Sequence, residues 1–149
     1  MALPTWAPTL EHVADHIPTR TRDRNNTGSD ALLMTFTAAT TPTDEQAQRH
    51  IAGAVAWTLA GIGGVLPATP VHLTDLATRT AALRAAADIE LAYPDRNADV
   101  AVHEQLDQRA KDALKVLVDA CNDAGGGTEG NLVPVYSFPD PALYGDYPL

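Results

Sequence analysis

Cysteine is almost missing from this chain: Cys121 is the one thiol in 149 residues. A lone cysteine excludes an internal disulfide and a four-cysteine zinc site. Serine is as scarce. Ser29 and Ser137 are the two present, and neither sits in a nucleophile-elbow pattern, so no serine triad is expected. Bases are few as well, ten Lys and Arg against nineteen Asp and Glu, for a formal charge of −9. A domain held on nucleic acid by phosphate contacts needs a basic face, so that class is disfavoured, as is adhesion to an anionic membrane. No run approaches the roughly 18 apolar residues of a spanning helix. The first sixteen residues have neither the basic n-region nor the apolar h-region of a signal peptide. A reducing cytoplasm is therefore the expected compartment, and the sequon Asn25-Asn26-Thr27 carries no weight. No GxGxxG and no GK[ST] is present, so no dinucleotide or phosphate loop is expected.

What is present suits one helical domain. Hydrophobic residues make up 45% of the chain while aromatics make up 5%. Much of the apolar content is alanine, which buries little area per residue and lets slender helices approach closely. Pro4 and Pro8 keep the first residues extended. Thr9 is a fitting N-cap for a short helix over 10–16, which Pro18 stops. A polar loop follows over 19–30. Over 31–41, Leu33, Thr35 and Thr37 alternate with Met34 and Phe36, which predicts a short extended arm or strand.

Thr43-Asp44-Glu45-Gln46 has the form of a capping box, with two acids at the positive end of the helix dipole. The helix it opens should run over 43–61, with Ala47, Ile51, Ala54, Val55 and Ile62 near one face, and end at the glycines of 61–64. A third helix is expected over 72–93. Leu73, Leu76, Thr80, Leu83, Ala87 and Leu91 form its apolar stripe, and Arg79, Arg84, Asp88 and Glu90 lie opposite. A fourth is expected over 99–123, with Val102, Leu106, Ala110, Ala113, Leu114, Leu117 and Cys121 on one stripe. Asp107 and Lys111 form an i,i+4 pair on its wet side. The fold class is thus mainly α: about four helices with an extended N-terminal arm or short strand in a helical domain over 1–124, then a Gly-rich hinge and extended arm over 125–149. That arm, with four prolines and four of the chain's eight aromatics, has the composition of a segment that docks into a groove on a partner.

Candidate chemistry is thin. Cys121 falls on the apolar stripe and reads as a small buried hydrophobe. His12 and His16 stand at i,i+4 beside Glu11 and Asp15, a spacing that holds a metal only when a third ligand arrives; a solvated helix face is the more ordinary reading. His50, His72 and His103 are scattered and read as surface. Arg20, Arg22 and Arg24 cluster in one loop, either solvated or forming intersubunit forks with carboxylates, of which the chain has an excess. No catalytic constellation and no cofactor is expected.

Several segments together resemble the head–tail connector (adaptor) proteins of long-tailed bacteriophages, especially those of actinobacterial phages and prophages. They are His16-Ile17-Pro18-Thr19-Arg20-Thr21, the run TFTAATTPTDEQ at 35–46, AALRAAADIELAYPD at 81–95, HEQLDQRAKDALKVL at 103–117, and Ser137-Phe138-Pro139 after a glycine-rich break. The stretch from Asn25 to Asp30 is longer than the family pattern, and His103 and Ala110 stand where aromatics are expected. The resemblance implies a small helical virion protein assembling as a ring, typically of twelve copies, beneath the portal. Such a ring would line the channel through which DNA passes without specific binding and carry the next neck, stopper or tail protein. No enzyme and no membrane partner is implied. Arg20, Arg22, Arg24 and Phe36, with Val135, Tyr136, Phe138 and Tyr144 of the tail, are the expected protein-contact residues. The rival readings are another small helical neck (stopper) protein or regulatory interaction module, and an enzyme with a metal at His12 and His16.

Overall fold

The computed structural model describes residues 2–26, 31–94 and 100–125. Among them, four α-helices and one 3₁₀ turn follow in the order α1 (Leu10–Ala14), 3₁₀ (Pro18–Thr21), α2 (Asp44–Gly61), α3 (His72–Ala92) and α4 (Val100–Gly125). The chain is mainly helical, as its periodicity requires. Thr9 caps α1 and Thr43 caps α2. In each, the cap hydroxyl accepts from the N3 amide while the N3 side chain, His12 or Gln46, accepts from the cap amide. α1 is shorter than expected because Pro18 occupies N1 of the 3₁₀ turn, where its missing N–H costs nothing. At the end of α2, Gly63 and Gly64 take φ of 83° and 98°, and the Gly64 amide closes onto the Leu59 carbonyl at 2.7 Å. Side chains resist that left-handed backbone, so glycine makes this stop.

α3 is the centre of the molecule, and its surroundings correct the two-sided helix read from the sequence. Besides Leu73, Thr80, Leu83 and Ala87, the residues Ala77, Ala81, Ala82, Ala85, Ala86 and Ile89 are buried. Helices α1, α2 and α4 all pack on it, and a helix apolar on most sides is one enclosed by others. Leu91, placed on the apolar stripe, is instead 63% exposed. It lies in the last turn, beyond the reach of that enclosure. The residues assigned to the opposite face are mostly not solvated either: Arg84, Asp88 and Glu90 are half-buried in ion pairs.

Two apolar clusters fill the interior. The larger joins Val13 and Ile17, Ile51 and Val55, Ala81 to Ile89, and Leu106 and Ala110. The smaller joins Leu73 and Ala77 to Leu117 and Cys121, which puts the start of α3 beside the end of α4. Trp6 packs against both clusters, and its carbonyl accepts from Thr78 Oγ1 at 2.6 Å, tying the extended N-terminal segment to α3. On α4, Leu106, Ala110, Leu117 and Cys121 are buried as expected, whereas Val102 is exposed.

Of the extended arm or strand expected over 31–41, no strand forms. A single antiparallel bridge joins Arg22 to Leu32, and the rest is bends, one turn and irregular backbone. The cause is the threonines. The one proton of the Thr40 hydroxyl faces the Pro42 carbonyl at 2.6 Å and the Thr37 carbonyl at 2.9 Å, its oxygen accepts from the Thr37 amide, and Thr37 Oγ1 accepts from the Ala39 amide. Side-chain bonds of this range compete with a ladder. Among the described residues, no buried side-chain N or O lacks a partner. The alanine packing yields a test. Ala81→Leu should overfill the contact around α3 and destabilise the protein by about 1–3 kcal/mol, whereas Leu91→Ala should change stability by less than about 0.5 kcal/mol. Urea unfolding followed by far-ultraviolet circular dichroism measures both.

Candidate functional site

The three clustered arginines come together. Arg20, Arg22 and Arg24 line a cleft of about 320 Å³ with Thr19, Thr41, Tyr93 and Pro94. The 3₁₀ turn and the chain that crosses it build this wall. Thr21 is fully buried; its hydroxyl donates to the Pro18 carbonyl at 2.7 Å and accepts from the Met34 amide at 3.1 Å. The Leu33 amide donates to the Thr21 carbonyl, and the Arg24 amide to the Ala39 carbonyl. Positions 20, 22 and 24 therefore ride on a backbone fixed to both neighbouring segments.

The arginines have different roles. Arg20 forms a two-pronged pair with Glu90, Nε to Oε1 at 2.8 Å and Nη2 to Oε2, with both side chains under 15% exposed. This fork joins the 3₁₀ turn to the last turn of α3, where Glu90 would otherwise face the negative end of the helix dipole. Arg20 is thus an internal tie between the 3₁₀ turn and α3. Arg24 donates through Nε and Nη2 to the carbonyls of Ala39 and Thr40, which positions its charge at the cleft without neutralising it. Arg22 is exposed. Among the described residues, neither Arg22 nor Arg24 forms an ion pair. Asp23, between them, accepts from the Asn25 amide.

Beside the cleft, Leu32, Leu33 and Met34 are each about 40% exposed. Their amides and the Arg22 bridge hold this apolar tip in place, and Met34 takes a φ of 55°, a strained value for a side chain of its kind. Phe36 differs from expectation. At 3% exposure it belongs to the chain's own core, so it is no partner contact. Val135, Tyr136, Phe138 and Tyr144 lie outside the described residues. The exposed triplet 32–34 was missed because its alternation reads as strand; the signal available was three consecutive large apolar residues after a polar loop.

The histidines divide. His12 Nδ1 accepts the Thr9 amide at 3.2 Å as part of the α1 cap. His16 is half-buried, not solvated, in a hollow with His12, Asp15, Asp75, Thr78 and Arg79. Among the described residues, no three His, Cys, Asp or Glu side chains gather as a metal site. His50 and His103, expected at the surface, are half-buried. His50 meets the Tyr93 ring edge-on, and His103 Nδ1 lies 2.9 Å from the Ala87 carbonyl. Asp107 is likewise not simply on a wet face. It binds Lys111 at 2.6 Å and Arg84 at 2.8 Å, while Arg84 also pairs with Asp88 and lies over the Trp57 ring. The Lys111 bond holds the Asp107 carboxyl below its usual range. Burial raises the Cys121 thiol, the opposite of a reactive thiolate.

No family model, curated protein or solved structure matches the chain. Among the described residues, no helix is long and apolar enough to cross a membrane.

Two outcomes follow from these contacts. Arg20→Ala strands the Glu90 carboxylate in a nearly buried position and should cost about 3 kcal/mol, while Arg22→Ala should cost less than about 0.5 kcal/mol; chemical denaturation of both variants measures the contrast. Burial, then Arg109 and Arg79, lower the His16 pKa, with Asp15 opposing. Its folded value lies below the unfolded value of about 6.5, so the unfolded chain binds more protons below that pH. Stability should therefore fall as pH drops below 6.5 and level off once the folded pKa is passed. His16→Gln should flatten the stability profile between pH 7 and 5, above the range where carboxylates dominate.

Proposed function

We propose that this chain is a structural subunit of a phage neck, a head–tail adaptor that sits as a ring between portal and tail and performs no catalysis. One observation carries the reading. A chain of net charge −9 presents, on one wall, two arginines that have no carboxylate partner among the described residues, next to an exposed apolar triplet. Cations beside aliphatic side chains are the elements of a protein contact, and a guanidinium recognises a carboxylate by its forked donors. The resemblance of 16–46 and 81–117 to adaptor proteins names the setting.

In that setting the portal and the neighbouring copies are the partners, and the localisation is the virion neck after synthesis in the host cytoplasm. The acidic surface suits a channel wall, since it repels the phosphate backbone and lets the duplex pass without sticking. The hinge and arm over 125–149, rich in proline and aromatics, serve as the reach to a neighbour or to the portal. The prolines lower the entropy lost when it docks.

Incubating the purified chain with portal rings and imaging the product by electron microscopy tests this. The expected product is a ring of added density on one face of the portal. Deleting residues 128–149 should leave the helical circular dichroism spectrum unchanged and abolish that density. A chain that ignores the portal, or a truncated chain that joins it as well as the full one, contradicts the proposal.

A further inference from the structure

The molecule has two unlike ends. α3 runs from Leu73, packed against Leu117 and Cys121 of α4, to Tyr93 at the arginine cleft. At 1.5 Å per residue that separation is about 30 Å. At the cleft end stand Arg22, Arg24 and the exposed tip of Leu32, Leu33 and Met34. At the other end, the last turns of α4 carry Asp119 and Asp123, both exposed, and no base stands in the final turn. Two carboxylates at i,i+4 repel, and at a helix C-terminus they also oppose the dipole. Val116 on α4, and Val65 and Val71 in the α2–α3 connection, expose apolar side chains at this same end, the two connection valines at 78% and 74%.

The cations of one end cannot neutralise the carboxylates of the other within one chain, because α3 holds them apart. A second copy can. We infer that the Arg22–Arg24 wall of one copy seats on the Asp119–Asp123 end of α4 in the next, with the Leu32–Met34 tip covering valines of that end. Two different patches meet in this contact, so it repeats head to tail and leads to a closed ring or an open filament, not a two-fold dimer. Asp23 beside the arginines, and Lys115 with Arg79 and Arg109 of the hollow that Val116 lines, moderate the contrast, so the contact is placed at the last turn of α4. The inference rests on the self-assembly part of the reading above and does not need the portal.

Sedimentation velocity of the full chain, at its highest soluble concentration in low salt, tests the contact. The wild type should associate, and added salt should weaken it. Arg22→Glu with Arg24→Glu should raise the dissociation constant by about tenfold or more, and Asp119→Arg with Asp123→Arg should do the same. All four positions are exposed, and unchanged circular dichroism establishes that each variant folds. Mixing the two variants should restore association, because reversed cations then face reversed carboxylates and the native pairing survives at alternate junctions. A monomeric wild type, association insensitive to these reversals, or a mixture that stays apart overturns the inference. Variants that still decorate the portal as rings would sink this contact and leave the adaptor reading standing. A wild type that self-associates as described but ignores the portal would do the reverse.

Discussion

Five of the seven residues over 81–87 of α3 are alanines, and these have to be small. Ala81, Ala82, Ala85, Ala86 and Ala87 are all at or below 2% exposure, with other elements packed around them. Helix axes approach most closely where side chains at the contact are short. Each alanine contributes little transfer free energy, so the core draws its stability from the number of surfaces that meet there. The same packing makes the centre intolerant of added volume, since neighbours on every side have no solvent into which they can relax.

Polar groups are arranged around that constraint. The buried threonines, Thr21, Thr40, Thr58 and Thr80, bond to nearby carbonyls and so cross the apolar interior without an unmet donor. Arg20 and Glu90, far apart in the chain, close the cleft end of α3. Arg84 links α3 to α4 through Asp107 while covering Trp57. Arg22 and Arg24 at one end and Asp119 and Asp123 of α4 at the other are among the exposed charges that these internal pairs leave over. A surface contact built from those charges depends on salt more strongly than the fold beneath it, because exposed pairs are screened and buried ones are not.

Much of this was legible in the sequence. Thr9 marked the start of α1 and Thr43 with Gln46 that of α2, the glycines of 61–64 marked a stop, and three-four spacing placed α2 and α4 within a residue or two. These are local signals, set by hydrogen bonds between residues three or four apart. The alternation over 31–41 misled, because threonine side chains satisfied the backbone that a strand would have used. The arginine cluster was visible as a cluster, but a loop reading could not tell which member is an internal tie.

The chain by itself determined that helices form, where they begin and end, and that the net charge is acidic, because short-range backbone bonding and composition decide those things. Only the tertiary structure decided that α3 is enclosed, that Phe36 faces inward, that Arg20 is tied to Glu90, and that the arginines and the terminal carboxylates of α4 stand at opposite ends. Each of those depends on which surfaces meet across tens of residues, and no periodicity along the chain encodes a distance in space.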